Sequence, residues 1–150
     1  MKRNVRALES SRELGGVVVE TSLMIPFLLL LLVIAVDVSR VVNAALTVYN
    51  AAIAGALYGS QNLSKSSDIS GIVNAANQEA ANLASLTIAA QQFCKCGSGA
   101  DVSCTGLVCN GNPKKTYVRV QTTSAFEPLI GYPGLPQVFN LSRTVVMRVE

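Results

Sequence analysis

Residues 16–36 read GVVVETSLMIPFLLLLLVIAV, and Glu20 is the only charge among them. A membrane-spanning helix needs about 20 consecutive apolar residues, and this run reaches that length. A buried core helix is the alternative. A chain of 150 residues has room for one modest domain, which could not cover a helix that is apolar all round. The composition agrees. Half the residues are hydrophobic, only 14% are charged, and aromatics contribute just 5%. The apolar excess therefore lies in Ala, Val, Leu and Ile, as in a membrane span followed by an Ala-rich helix.

Upstream, MKRNVRALESSRELG sets Lys2, Arg3, Arg6 and Arg12 against Glu9 and Glu13. Basic residues before the run and few after it put the N-terminus in the cytoplasm by the positive-inside rule. The rest then faces the periplasm or the exterior. All four cysteines, Cys94, Cys96, Cys104 and Cys109, lie within sixteen residues, and in an oxidising compartment they read as two disulfides. The turn signal Gly97-Ser98-Gly99 favours Cys96 with Cys104 and Cys94 with Cys109. Zinc is the weaker reading, because tetrathiolate sites more often use Cys-x2-4-Cys pairs. A redox-active Cys-x-Cys lacks any nearby thiolate stabiliser.

Downstream, Asp37–Gln61 has no proline, and Val38, Val41, Val42, Leu46, Tyr49, Ile53 and Leu57 keep helical spacing. One helix over Gly16–Gly59 is expected, its outer half packing on its own head or on a neighbour's helix. Pro26 removes one backbone hydrogen bond within the span, as a hinge or as a tolerated kink. A polar loop at 61–68 ends in Ser67 or Asp68, either able to cap a second helix over about Ile69–Leu86. Strands follow at Thr87–Cys96, Asp101–Cys104, Thr116–Ser124 and Leu141–Glu150. In the third, Val118, Val120 and Thr122 share a face; in the last, Leu141, Val145, Met147 and Val149 do, with Arg143 the exception. Pro128, Pro133 and Pro136 exclude a central strand from Phe126–Val138, leaving an apolar loop that turns at Pro133-Gly134 and is either a candidate partner surface or a segment buried within the head. The fold class is α+β: a long N-terminal transmembrane helix extending into a small disulfide-stabilised head, with a second helix on a short antiparallel sheet. Its divisions are a leader at 1–15, a span at 16–36, and a head at 37–150 that includes the helix continuation 37–60.

The sequence holds no histidine, which removes the commonest general base and metal ligand. No nucleophile–base pair or phosphate loop is visible, so no catalytic residue, metal or cofactor is assigned. A net charge of +3 is too small to argue for nucleic acid. The chemistry concentrates at Gly15, Gly16 and Glu20. A carboxylate in hydrocarbon costs about 2.5–3.5 kcal/mol on insertion scales for the comparable Asp. A helix N-terminus eases that cost, and an α-amino group freed by a cut after Gly15 would supply an opposite charge, its own chain's or a neighbour's.

At these residues the chain resembles the TadE-like pseudopilins of the tight-adherence (Tad) pilus system. GGVVVETSLMIPFLLLLL looks like their start. The Cys-x-Cys pair, TYVRVQT, the Pro-rich loop and SRTVVMRV are similar to their later parts. Thr21 departs from the pattern, where an aromatic is frequent. The resemblance implies a minor pilin cut after Gly15 by a prepilin peptidase. Glu20 then becomes the fifth mature residue, used in assembly with other pilins and platform proteins at the bacterial inner membrane. A pseudopilin of a related secretion system and an uncut single-pass anchored protein are the other readings.

Overall fold

The computed structural model describes residues 3–150 except 84, 98, 107, 108, 110, 112, 132 and 135, with backbone alone for 3–15. Ala84, Ser98, Asn110 and Asn112 of the expected elements, and Lys2 of the leader, lie outside the described residues. The elements are α1 (Arg3–Ser60), α2 (Leu63–Ser67), α3 (Ile69–Glu79), β1 (Leu86–Cys96), β2 (Lys114–Phe126) and β3 (Phe139–Arg148). The chain divides into two units, residues up to Arg40 and Val41–Glu150.

In the first unit every side chain from Gly16 to Leu32 is exposed, Leu23 by 72%. No face of this apolar stretch is buried by protein, so its complement has to be lipid or another chain. The helix is long and apolar enough to cross a membrane, and it continues through Pro26. It also begins earlier than Gly16, because the leader residues from Arg3 are helical too. Asp37 and Arg40, an i,i+3 pair with Nη1 to Oδ1 at 3.2 Å, follow the apolar run.

The second unit is a three-stranded antiparallel meander, order β1-β2-β3, laid against helices. The face of α1 that it covers is the small-residue one: Val48, Ala51, Ala52 and Ala56 are fully buried. The larger stripe of Val42, Leu46, Tyr49 and Leu57 stays about half exposed. Small residues let neighbouring backbones approach closely, and the glycines show how closely. A Cβ at Gly59 would lie 2.9 Å from Ile72 Cδ1, and one at Gly55 would lie 3.1 Å from the Ile72 carbonyl oxygen. One core cluster joins Ala56, Ile72, Val118, Val120 and Val149; a second joins Ala51, Ala76 and Ala80. The inward faces expected for β2 and β3 are those observed, with Arg143 exposed.

Four expectations change. The segment 61–68 is not all loop, since Asn62 caps the short α2 by accepting from the Lys65 N–H at 2.8 Å. α3 stops at Glu79 instead of near Leu86, because residues 80–82 already turn the chain toward β1. Asp101–Cys104 is not a strand; only Val102 bridges to Cys94, with N···O distances of 2.8 and 2.9 Å. The disulfides are Cys94–Cys104 and Cys96–Cys109, not the nested pairing the turn suggested. The Cys94–Val102 bridge explains this. It brings Val102 beside Cys94, two residues from Cys104, the cysteine with which Cys94 pairs.

Candidate processing and assembly site

Gly15, Gly16 and Glu20 lie on consecutive turns of α1, with Glu20 four residues after Gly16 on the same face. Two hydroxyls follow the carboxylate. Thr21 Oγ1 donates to the Val17 carbonyl and Ser22 Oγ to the Val19 carbonyl, each at 2.8 Å. Both are folded onto the backbone, so neither presents a free donor to an apolar surrounding. Glu20 is exposed, and among the described residues it forms no salt bridge.

A Cβ at Gly16 would meet nothing within 4 Å. Packing within the chain therefore does not call for glycine here, unlike at Gly55 and Gly59. Its consequence is local: each glycine in a helix interior costs about 1 kcal/mol relative to alanine. The Gly15–Gly16 pair therefore lowers the helix propensity of α1 locally.

The four cysteines are brought together at the edge of β1 as two pairs, with Cα–Cα distances of 5.0 and 5.5 Å. Cys94 is fully buried, and the Thr116 hydroxyl lies 3.4 Å from its sulfur. Paired, these sulfurs are staples. A second cluster, not anticipated from sequence, holds the loop they close. Asp101 bonds both Lys95 Nζ, at 3.0 Å, and Arg119. The Arg119 guanidinium lies 4.5 Å from the centroid of the Phe93 ring, which stacks on Tyr117 at 5.4 Å. The bonds from Lys95 and Arg119 hold the Asp101 carboxyl below its ordinary value. Nothing in the spacing of residues 93–119 announces this cluster, because it depends on the register of β1 against β2.

Set against known proteins, residues 15–57 match the family described as TadE-like protein. This stretch of the first helix is similar to that family. The matched stretch opens on Gly15 and takes in Gly16, Glu20, Pro26 and α1 almost to its end. TadE-like character is consistent with a protein of the Tad pilus and with membrane anchoring, and the family is a structural one. No curated protein and no solved structure matches the chain.

Proposed function

We propose that this chain is a structural minor pilin of a Tad-type adhesive pilus. A prepilin peptidase cuts it after Gly15, and residues 16–36 hold it in the inner membrane with the N-terminus cytoplasmic and the head periplasmic. The observation that carries this reading is the junction itself. A basic leader meets two glycines, the second of which the packing does not require, and an exposed carboxylate follows at the fifth mature position within a TadE-like helix. The partners are the peptidase, other pilins and the assembly platform. Glu20 serves assembly by accepting the α-amino group that cleavage creates. Disulfides at the β1 edge suit a head exposed to an oxidising compartment.

Intact-mass measurement of membrane-extracted protein, made in cells with and without the peptidase, tests this. The expected product lacks residues 1–15 and begins at Gly16 only when the peptidase is present. Membrane-bound material still starting at Met1 or Lys2 in cells that hold the peptidase overturns the processing claim and leaves an uncut anchored protein.

A further inference from the structure

The sheet of the second unit has two unlike faces. Val118 and Val120 of β2 point into the core and are fully buried. Between and beside them, Lys115, Tyr117 and Arg119 alternate to the other face. Residues paired across strands share a face. Lys95 pairs with Lys115, Phe93 with Tyr117, and Tyr117 in turn with Arg148. The register therefore gathers four cations, Lys95, Lys115, Arg119 and Arg148, at one end of the outward face. Strands about 4.8 Å apart that rise about 3.4 Å per residue set their Cα positions within a patch about 10 Å by 14 Å. Among the described residues, the carboxylate in ion pairs with this group is that of Asp101. Val41–Glu150 carries seven basic residues against five acidic ones. The patch, at four against one, thus holds the whole positive excess of the head.

This concentration is not explained by pairing within the sheet. Lys95 and Lys115 stand directly opposite each other, and like charges in that relation destabilise a sheet. Asp101 answers Lys95 and Arg119, whereas Lys115 and Arg148 form no ion pair among the described residues. Cations grouped in this way raise the local concentration of a polyanion more than scattered ones do.

The surroundings of the cations select the kind of anion. Lys95 Nζ and the Arg119 guanidinium lie 6.0 and 4.5 Å from the centroid of the Phe93 ring, and Phe93 is only 3% exposed. The ring is covered by cations and offers no stacking platform to nucleic-acid bases. Along the strands, the same face continues as Gln121 paired with Thr144 and Thr123 paired with Ser142. These amide and hydroxyl groups both donate and accept, as the hydroxyls of a sugar do.

We propose that this face binds an acidic polysaccharide, a chain of uronic acids. Lys115 and Arg148 meet its carboxylates, Lys95 and Arg119 add to the attracting field, and the Gln121–Thr144 and Thr123–Ser142 rows meet its hydroxyls. The proposal goes beyond the pilus reading and does not depend on it.

The full chain in a non-ionic polyoxyethylene detergent is passed over immobilised polygalacturonate, its methyl ester and single-stranded DNA. Binding to polygalacturonate is expected, with none to the ester and less to DNA. It should weaken as sodium chloride rises past about 0.1 M, where the Debye length is about 10 Å. Lys115→Gln with Arg148→Gln should bind roughly twenty-fold more weakly. Lys65→Gln with Arg143→Gln removes the same charge from α2 and from the core-side face of β3, and should bind like the unaltered chain. The thermal midpoint of the Lys115→Gln, Arg148→Gln chain should not fall, because a like-charge contact is relieved. If it falls, Lys115→Arg with Arg148→Lys decides: retained binding supports the proposal and lost binding overturns it. Absence of binding, equal binding to the ester, or preference for DNA each overturns it. So does unchanged binding of the Lys115→Gln, Arg148→Gln chain, or an equal loss in both double variants, since net charge, the leader's included, then accounts for the retention.

Discussion

The hydroxyl of Thr122, at the centre of β2, donates to the carbonyl oxygen of Val48 in α1 across 2.7 Å, and both residues are fully buried. This bond ties the middle strand to the helix in a core made largely of alanine and valine, where little large apolar surface is available. Thr122→Val keeps the shape and removes the donor. A buried hydrogen bond contributes about 0.5–1.5 kcal/mol net. The thermal midpoint of the detergent-solubilised chain should therefore fall by roughly 4–8 °C per kcal/mol lost, and Thr122→Ser should recover most of the loss. An unchanged midpoint for Thr122→Val would mean that packing alone sets the strand on the helix.

The disulfide pairing has a direct check. Non-reducing digestion with trypsin and chymotrypsin cuts after Phe93, Lys95, Leu107 and Lys114, separating Cys94, the Cys96–Cys104 segment and Cys109. Pairing Cys94 with Cys104 and Cys96 with Cys109 joins all three peptides in one mass. The nested alternative leaves the middle peptide looped on itself and the outer two joined. Replacing Cys96 and Cys109 together by serine should cost about 2–5 kcal/mol, seen as a lower thermal midpoint.

Legibility in the sequence followed the range of the interaction. The apolar run, the α1 terminus at Ser60, the cap at Asp68 and the inward faces of β2 and β3 were readable, because each depends on local periodicity or a single side chain. Which stripe of α1 meets the head was not. The larger residues Leu46 and Tyr49 suggested one face, but close approach of Ile72 and Val118 selects the glycine and alanine face instead. The disulfide pairing was hidden for the same reason. It follows from a single bridge between Cys94 and Val102, and a one-residue slip would have changed it. Gly15, Gly16 and Glu20 are neighbours within one helix, α1, as the sequence pattern suggested.

Acid should loosen the head at two places. Asp68 accepts from the Gly71 N–H at 2.9 Å, from Ser70 Oγ at 2.7 Å and from the Tyr58 hydroxyl at 3.0 Å. The Gly71 N–H chiefly, then the two hydroxyls, hold its carboxyl below the ordinary value. Asp101 is lowered by Lys95 and Arg119. A depressed folded value gives stability that is present above the unfolded carboxylate value, about 3.9, and is lost as pH falls through the lower folded value. Tyr58 is shifted up, chiefly by its bond to Asp68. Its contribution is full below the unfolded phenol value of about 10 and disappears as pH rises through the folded one. The thermal midpoint should hold between roughly pH 5 and 9 and drop below about pH 4. Asp68→Asn should lower the plateau and flatten the acid limb. An acid limb equally steep in the variant would place the sensitivity elsewhere.

Cleavage should respond to helix strength at the junction. Replacing Gly16 by alanine strengthens α1 by about 1 kcal/mol, and no neighbour obstructs the new methyl group. If the peptidase acts on a locally unwound helix, cleavage slows by roughly five-fold for each kcal/mol, and Gly15→Ala adds a comparable effect. The check is the time course of the mass loss for residues 1–15. Equal rates for Gly16→Ala and the unaltered chain would mean that unwinding does not limit the cut.

Substitution of Glu20 should separate processing from assembly. It lies five residues past the cut, exposed and without a salt bridge among the described residues, so its removal leaves the helix and the Gly15–Gly16 bond as they were. Glu20→Ala is therefore expected to be cut at the normal rate and to stay in the membrane. Incorporation should fail, because the freed α-amino group then has no carboxylate partner in a medium where an unpaired charge is costly. Losing one partner of a desolvated pair costs about 2 kcal/mol or more, equivalent to a thirty-fold or greater loss of subunit in sheared pili. Glu20→Gln, which keeps the shape without the charge, should behave like alanine, whereas Glu20→Asp should restore part of the incorporation. Sheared pili holding normal amounts of the alanine variant would show that the carboxylate has no assembly role.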